Sequence, residues 1–324
     1  MVGPLIMSSA PEPLVSVVIA CYNRATLVEQ AVRSALGQDW ENIEVVVSDD
    51  ASPDDSVGVL SRMGESRVRL QAQTTNVGVW KNWSAALGMA RGDYVVFLGD
   101  DDWLTPDFVR KHLEAFRRHP SASAVFSPME DRPDDGSPSG FLPSPFPEDR
   151  TVSGAELVGY LMDSKVFFGS AMFRRELAQR LWAGTEPDGM VADWGLILGL
   201  GILPGVTVAS CTGCLYVKRV HANRLSSRII EVTALLASVC ERVARESGEP
   251  AIRTRLMARA TLERVTLSRH YAAAGDLASC RRALWSCLGR AHAQGIVLSQ
   301  LVQAYLAPGR LIRTAREQRG MKLD

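Results

Sequence analysis

Three adjacent carboxylates, Asp100, Asp101 and Asp102, follow the apolar run DYVVFL (93–98) with only Gly99 between. Like charges at consecutive positions repel, and packing gives no reason to set them side by side. A hard divalent cation held by carboxylate oxygens, Mn2+ or Mg2+, would neutralise them. The competing use is an acidic turn ahead of a helix starting at Pro106, with Thr105 as its cap. A second acidic pair, Asp49-Asp50, ends the run IEVVVS (43–48). A carboxylate there can accept a hydrogen bond from a ribose or a base edge, or it can close a turn with Ala51-Ser52-Pro53. Tyr22 and Asn23 follow the run VSVVIA (15–20), where the Tyr22 ring could stack on a nucleobase.

All three groups sit where an apolar run stops, so the elements around them matter. Strands are expected at 15–20, 43–48, 67–71, 93–98 and 122–127, with helices at 26–36, 54–63, 79–90 and 106–118 between them. Strands alternating with helices predict an α/β fold with a mostly parallel, right-handed central sheet. Ligands of such sheets bind beyond the carboxyl ends of the strands, which is where Tyr22, Asp50 and Asp100 fall. Residues 128–151 carry six prolines with Gly and Ser and read as a long irregular loop. Helices are expected at 154–163 and 175–183, around GSAMF (169–173), and from His221 almost to the end of the chain. Within that last part, residues 262–287 read as a helical hairpin turning at Gly275-Asp276.

The 36 basic and 36 acidic residues cancel, but unevenly along the chain. Residues 1–224 hold 20 Lys and Arg against 28 Asp and Glu, a net −8, and residues 225–324 carry the opposite +8. The acidic majority argues against a nucleic-acid binder, since it would repel phosphate. A hydrophobic share of 46% excludes a disordered chain. Six cysteines in 324 residues make no secreted disulfide framework, and the lone pair Cys211-x-x-Cys214 reads as two half-buried thiols on a strand edge rather than a four-ligand zinc site. The first residues lack a secretory pattern. The chargeless stretch 194–217 is long enough to span a bilayer, yet Pro204-Gly205 reads as a turn between a buried helix and a strand. A cytoplasmic protein is expected.

Seven segments in order, VSVVIACYNR (15–24), SALGQDWENIEVVVSDDASPD (34–54), NVGVWKNW (76–83), GDYVVFLGDDDW (92–103), GSAMFRRE (169–176), ADW (192–194) and VHANRLS (220–226), resemble the family 2 glycosyltransferases of the GT-A fold. The resemblance implies a flexible N-terminus (1–13), a GT-A domain over 14–226 and a helical C-terminal domain over 227–324. It implies transfer of a sugar, with inversion, from a nucleotide-sugar donor to an acceptor hydroxyl. A UDP-sugar suits a stacking Tyr and an Asp at the base edge, and a dTDP-sugar fits nearly as well. Carried over by position, Ala20, Tyr22, Asn23, Arg24, Asp50, Asn76, Gly78, Lys81, Asp100 and Asp101 would line the donor. Asp101 would be the main ligand of a divalent metal, Mn2+ or Mg2+, with Asp102 and His221 beside it. Asp193 would be the catalytic base, and Phe168, Gly169, Ser170 and Trp194 would face the acceptor. That acceptor is left open among saccharide, lipid-linked, protein and small-molecule classes. Gly99 departs from the pattern, because many members carry Asp there. Arg219 and Arg224 are expected within reach of phosphate. A metal-dependent nucleotidyltransferase and a non-catalytic sugar-nucleotide-binding protein are the rival readings.

The tail spaces Arg310, Arg313, Arg316 and Arg319 three apart with Leu311, Ile312 and Met321 interleaved. It could lie on anionic lipid at the inner face of a membrane or be a solvated basic helix end. Leu235, Leu236, Val239 and Val243 recur at helical spacing, as core or as a homodimer contact.

Overall fold

The computed structural model describes residues 12–134, 136–163, 167–220, 229–287 and 294–318. Compactness divides the chain into two units. The first is Met1–Thr151, Gly169–Gln179 and Ala209–Arg219, and the second is Val152–Phe168, Arg180–Val208 and Val220–Asp324. Residues 152–168 and 180–208 thus group with the C-terminal helices, a different division from one boundary near 226.

The first unit is built on β1 (Val15–Cys21), α1 (Ala25–Leu36), β2 (Ile43–Asp49), α2 (Ser56–Arg62), β3 (Val68–Ala72), α3 (Val79–Met89) and β4 (Tyr94–Phe97). Nearly every residue of β1 and β2 is buried, which is why both read as unbroken apolar runs rather than alternating ones. Val15 pairs with Ile43 and with Tyr94, so β1 lies parallel to β2 and β4, and β3 adds parallel to β2. The parallel strands therefore end together at Cys21, Asp49 and Phe97, each one or a few residues before an expected site residue.

Three features of this unit differ from the sequence expectation. Ala171–Arg174, which begins inside GSAMF and ends one residue beyond it, is a strand, β10 (numbered with those that precede it below). It runs antiparallel to β4 on one side and to β6 (Ala122–Phe126) on the other. The order is β3-β2-β1-β4-β10-β6, three parallel pairings followed by β10 set antiparallel between β4 and β6. Four residues between two helices carry too short a period to announce a strand. Met172 and Phe173 are core because partners 76 and 78 residues away along the chain, Val96 and Val95, enclose them. The proline-rich stretch also contains more order than a loop. After β5 (Trp103–Leu104) and α4 (Phe108–Arg118), β7 (Met129–Pro133) and β8 (Gly140–Leu142) form an antiparallel hairpin in a second sheet, ordered β5-β12-β7-β8 with β12 (Tyr216–Val220). Its prolines lie outside the strands or, as Pro133, at a strand end, where a missing N–H removes no interior ladder bond. Finally, Cys211 and Cys214 are buried in the loop that leads into β12, not half-buried on a strand edge.

In the second unit, β9 (Val152–Ser153) pairs with the start of β11 (Thr207–Ser210). Helix α5 (Gly154–Met162) begins with a capping box in which Ser153 and Glu156 satisfy each other's backbone N–H. Of helix α6 (Arg175–Ala183), residues 180–183 belong to this unit, and α7 (Ala192–Ile202) packs on α5. A Cβ on Gly201 would stand 2.5 Å from Val158 Cγ2, so glycine sets that approach. The turn at Pro204-Gly205, with Gly205 at φ +71°, sends the chain into β11. The chargeless 194–217 stretch is thus helix, turn and strand, and among the described residues no helix is long and apolar enough to cross a membrane.

Helices α8 (Ile229–Glu246), α9 (Pro250–Ala273), α10 (Leu277–Trp285), α11 (Gln294–Leu306) and α12 (Pro308–Gln318) complete the unit. Val239 and Val243 are buried where α8 packs along α9, so their spacing reports core. The hairpin turn is as expected: Gly275 has φ +82° and Asp276 caps α10 by accepting from Ser279 N–H. Leu311 and Ala315 of α12 are buried in a cluster with residues of α9, α10 and α11, and Arg316 Nε donates to the Ala273 carbonyl, 3.2 Å away at the end of α9. The apolar side of this basic helix is covered by its own domain.

Candidate functional site

At the end of β1 the chain turns through Tyr22 and Asn23. Asn23 takes φ +57°, a left-handed conformation that asparagine tolerates better than most residues, and its N–H donates to Ser52 Oγ (2.9 Å). The Tyr22 N–H donates to Asp100 Oδ2 (3.1 Å), which ties the end of β1 to the acidic run after β4. Arg24 Nε lies 3.9 Å from Asp100 and 4.0 Å from Asp101. The Tyr22 side chain stays 46% exposed, a large ring held in solvent beside this cluster. Ala20 is the one partly exposed position of β1.

The two acidic residues after β2 divide their work. Asp49 closes its own turn, accepting from the N–H and the hydroxyl of Ser52. Asp50 accepts from Val77 N–H (2.6 Å) and Gly78 N–H (3.0 Å), and Asn76 Nδ2 reaches the Asp50 carbonyl. Gly78, at φ +88°, needs glycine to bring those N–H groups round before α3 starts. Lys81 is exposed in the first turn of α3. Asp50 is only 3% exposed, so its carboxylate braces the 76–78 turn first and reaches a ligand only through its remaining lone pairs.

The three carboxylates after β4 are not equivalent. Burial, then the neighbouring Asp101, pushes Asp100 up to about 8. Burial and Asp101 likewise push Asp102 up to about 7, against the opposing pull of its hydrogen bonds. Those bonds occupy both Asp102 oxygens: the Tyr216 hydroxyl donates to Oδ2 and the Arg219 N–H to Oδ1 (2.8 Å). The same Tyr216 oxygen accepts from Gly99 N–H (3.1 Å). Asp102 is therefore the keystone of the 99–102 turn, and only the remaining lone pairs of its oxygens could meet a cation. Asp101 keeps 20% of its side chain exposed. The glycine at 99 has a local cause, because a Cβ there would stand 2.7 Å from Asp102 Oδ2. Arg219 is also reassigned. Its guanidinium covers the Trp103 ring at 5.0 Å, donates to the Asp101 carbonyl (3.0 Å), pairs with Asp134 and donates to Gln30, so it braces the turn.

The second unit holds Asp193 in the first turn of α7. Burial pushes its carboxyl up to about 6, opposed by the backbone N–H groups of Trp194 and of Asp193 itself and assisted by the charge of Asp188. Trp194 lies under the Arg259 guanidinium at 5.4 Å. Phe168 stacks with Trp182. In the first unit Gly169 and Ser170 are buried, and the Ser170 carbonyl accepts from Ser127 N–H (2.9 Å). His221 and Arg224 lie outside the described residues. The sequence reading missed Tyr216 and the bracing part of Arg219. Their partner Asp102 is 114 and 117 residues away, and YVKRV (216–220) carries no local sign of it.

Comparison with known proteins adds to this geometry. The family model described as Glycosyl transferase family 2 matches residues 16–182, half of the chain. The succinoglycan biosynthesis protein ExoO of Rhizobium meliloti is 38% identical over 102 residues, 32% of this chain and 29% of its own length. A UDP-Glc:alpha-D-GlcNAc-diphosphoundecaprenol beta-1,3-glucosyltransferase, WfaP of Escherichia coli, is 37% identical over 93 residues, 28% of this chain and 37% of that protein. The chain thus spans well under half the length of these relatives. Among solved structures, residues 1–349 of S. aureus TarS in complex with UDP-GlcNAc superimpose with a TM-score of 0.67, covering 96% of this chain and 93% of that one at 15% identity, a likeness of fold.

Proposed function

The chain belongs to glycosyl transferase family 2, and from that premise we propose that it moves a sugar from a UDP-sugar to an acceptor hydroxyl with inversion at the anomeric carbon. One observation carries the reading: Tyr22, Arg24, Asp100 and Asp101 are drawn together where β1 and β4 end, by the Tyr22-to-Asp100 bond and the Arg24 contacts. A nucleotide-sugar is the ligand that uses all of them. The exposed Tyr22 ring takes the base face. Asp50 accepts from the base edge while its other lone pairs hold the 76–78 turn. Arg24 and Lys81 face the diphosphate. A uracil donor is favoured because the fold neighbour binds UDP-GlcNAc and the WfaP name specifies UDP-Glc.

The acidic run fits a hard divalent cation. Asp100 and Asp102 are held up in pKa partly by Asp101, a repulsion that a cation relieves, and the partly exposed Asp101 is the ligand of choice with Asp100 next to it. When bound, such a metal would offset the charge developing on the leaving diphosphate. Asp102 acts through the turn it fixes. Asp193, ionised at neutral pH with its carboxyl near 6, takes the acceptor hydroxyl's proton as that oxygen attacks. The bond from acceptor oxygen to anomeric carbon forms, the bond to the diphosphate oxygen breaks, and UDP leaves.

The test is melting temperature with UDP, with and without Mn2+, followed by donor hydrolysis across a panel of nucleotide-sugars. UDP with Mn2+ is expected to raise the Tm by several degrees, and either alone by much less. Equal stabilisation by a nucleoside triphosphate with pyrophosphate release would favour nucleotidyl transfer instead. No nucleotide effect in either case would remove the donor assignment.

A further inference from the structure

Outside the acidic run, the first unit contains a second set of ligand atoms that nothing in the proposed reaction uses. Cys211 and Cys214, in the loop between β11 and β12, are 1% and 2% exposed, and His112 of α4 is fully buried beside them. One ligand atom from each of the three lies within 4.8 Å of the others. The two sulfurs are 3.8 Å apart. Two sulfurs at about 2.3 Å from a tetrahedral zinc ion stand about 3.8 Å apart, so the pair is already spaced for one. A disulfide needs the same atoms to close to about 2.0 Å.

His112 has the supporting geometry of a metal ligand. Its Nδ1 lies 2.7 Å from the Phe108 carbonyl, one turn back on α4. Its Nε2 lies 3.2 Å from the Ser170 carbonyl, a contact that coordination through Nε2 would displace while the Phe108 carbonyl holds the proton on Nδ1. The loop also borders an open space. Cys214, Gly213 and Leu215 line a cleft of about 540 Å³ whose other walls include Asp107 and Phe141. A fourth coordination position has a direction in which to open.

We propose that His112, Cys211 and Cys214 bind one zinc ion, with its fourth position turned to this cleft. The site lies apart from the acidic run but is linked to it through one short piece of chain. Leu215 exchanges hydrogen bonds with Thr105, its N–H donating to the Thr105 hydroxyl Oγ1 (2.9 Å) and its carbonyl accepting from the Thr105 N–H (3.0 Å), and the next residue is Tyr216, whose hydroxyl holds Asp102. Zinc would pin the 211–215 loop to α4 and so set where β12 begins. The ion is a positioning element for the acidic turn and takes no part in bond making.

Cobalt substitution of the full chain tests this. The reduced, chelator-stripped protein, kept in excess Mg2+ so that the carboxylates are occupied, is titrated with Co2+. One equivalent is expected to bind with an intense near-ultraviolet thiolate-to-cobalt charge-transfer band, and Zn2+ should bleach it stoichiometrically. Cys211→Ser and Cys214→Ser should each lose the band and the zinc-dependent rise in Tm, whereas Cys240→Ser, a buried cysteine of α8, should keep both. Far-ultraviolet circular dichroism of each variant reports that it is folded. No charge-transfer band in wild type, or a band that survives in the Cys211→Ser, Cys214→Ser double variant, overturns the proposal. So does a purified protein with no zinc in which these two thiols are found joined as a disulfide.

Discussion

At the residue scale, two carboxylates with raised pKa have opposite uses. The base proposed here, Asp193, must be ionised to act, so turnover should rise with pH through about 6 and level off above it. Asp193→Asn should lower kcat by roughly 100- to 10,000-fold, the span of one general base, while UDP affinity stays unchanged. An unchanged kcat would remove the assignment. Asp102 is a brace, and its variants should report through structure. Tyr216→Phe keeps the ring but strips the hydroxyl from Asp102 and from the Gly99 N–H, at an expected cost of about 1–3 kcal/mol in stability and with weaker metal-dependent UDP binding. Gly99→Ala puts a Cβ against Asp102 Oδ2 and should cost about as much by overpacking. In a denaturant double-mutant cycle, Gly99→Ala with Asp102→Ala should be less damaging than the sum of the two, because the second change removes the clash. The clustering of Tyr22, Asp50 and Asp100 at strand ends was legible from sequence because each directly follows an apolar run. The division of labour within Asp100–Asp102 was not, since it is decided by Tyr216 and Arg219 from a distant part of the chain.

At the element scale, the parallel strands and their helices were readable because each is long enough to show a period. β10 and the β7–β8 hairpin were not, for reasons of length and composition: four residues cannot show a period, and prolines at strand ends look like loop from sequence. Helix α12 shows a different limit. Its spacing of arginine and leucine is that of an amphipathic helix, but periodicity says nothing of what covers the apolar side. Here Leu311 and Ala315 face the helical domain's own core. Leu311→Ala should therefore destabilise that domain by roughly 2–5 kcal/mol, read as a lower thermal midpoint, as expected of a buried leucine. A variant as stable as wild type would mean that α12 is not packed in solution.

At the scale of the whole molecule, the zero net charge divides along function. Much of the −8 of the longer part lies in groups the structure accounts for: Asp50 and Asp102 as braces, Asp49 in its turn, Asp100 and Asp101 facing Arg24. The proline-rich stretch contributes Asp131 and Asp134, which pair with Lys218 and Arg219 of β12 and its surroundings. Some of the acidity that looked idle in the sequence thus ties the hairpin to the strand supporting the acidic turn. In the helical part, basic residues pair internally, as Arg264 does with Glu241 and Arg259 with Glu263.

The first unit is assembled from three separate stretches, the last ending at Arg219. During synthesis, β4 and β6 emerge long before β10, the strand that sits between them, so each leaves an open edge on the nascent chain. Asp102 meets Tyr216 and Arg219 later still. A ribosome paused ahead of residue 216 would hold an acidic turn without its brace, and fragments that stop at the end of the family match, residue 182, should collect as aggregates. Completion of the acidic turn is therefore a late event in the life of the polypeptide, timed by the arrival of a strand far downstream of the residues it serves.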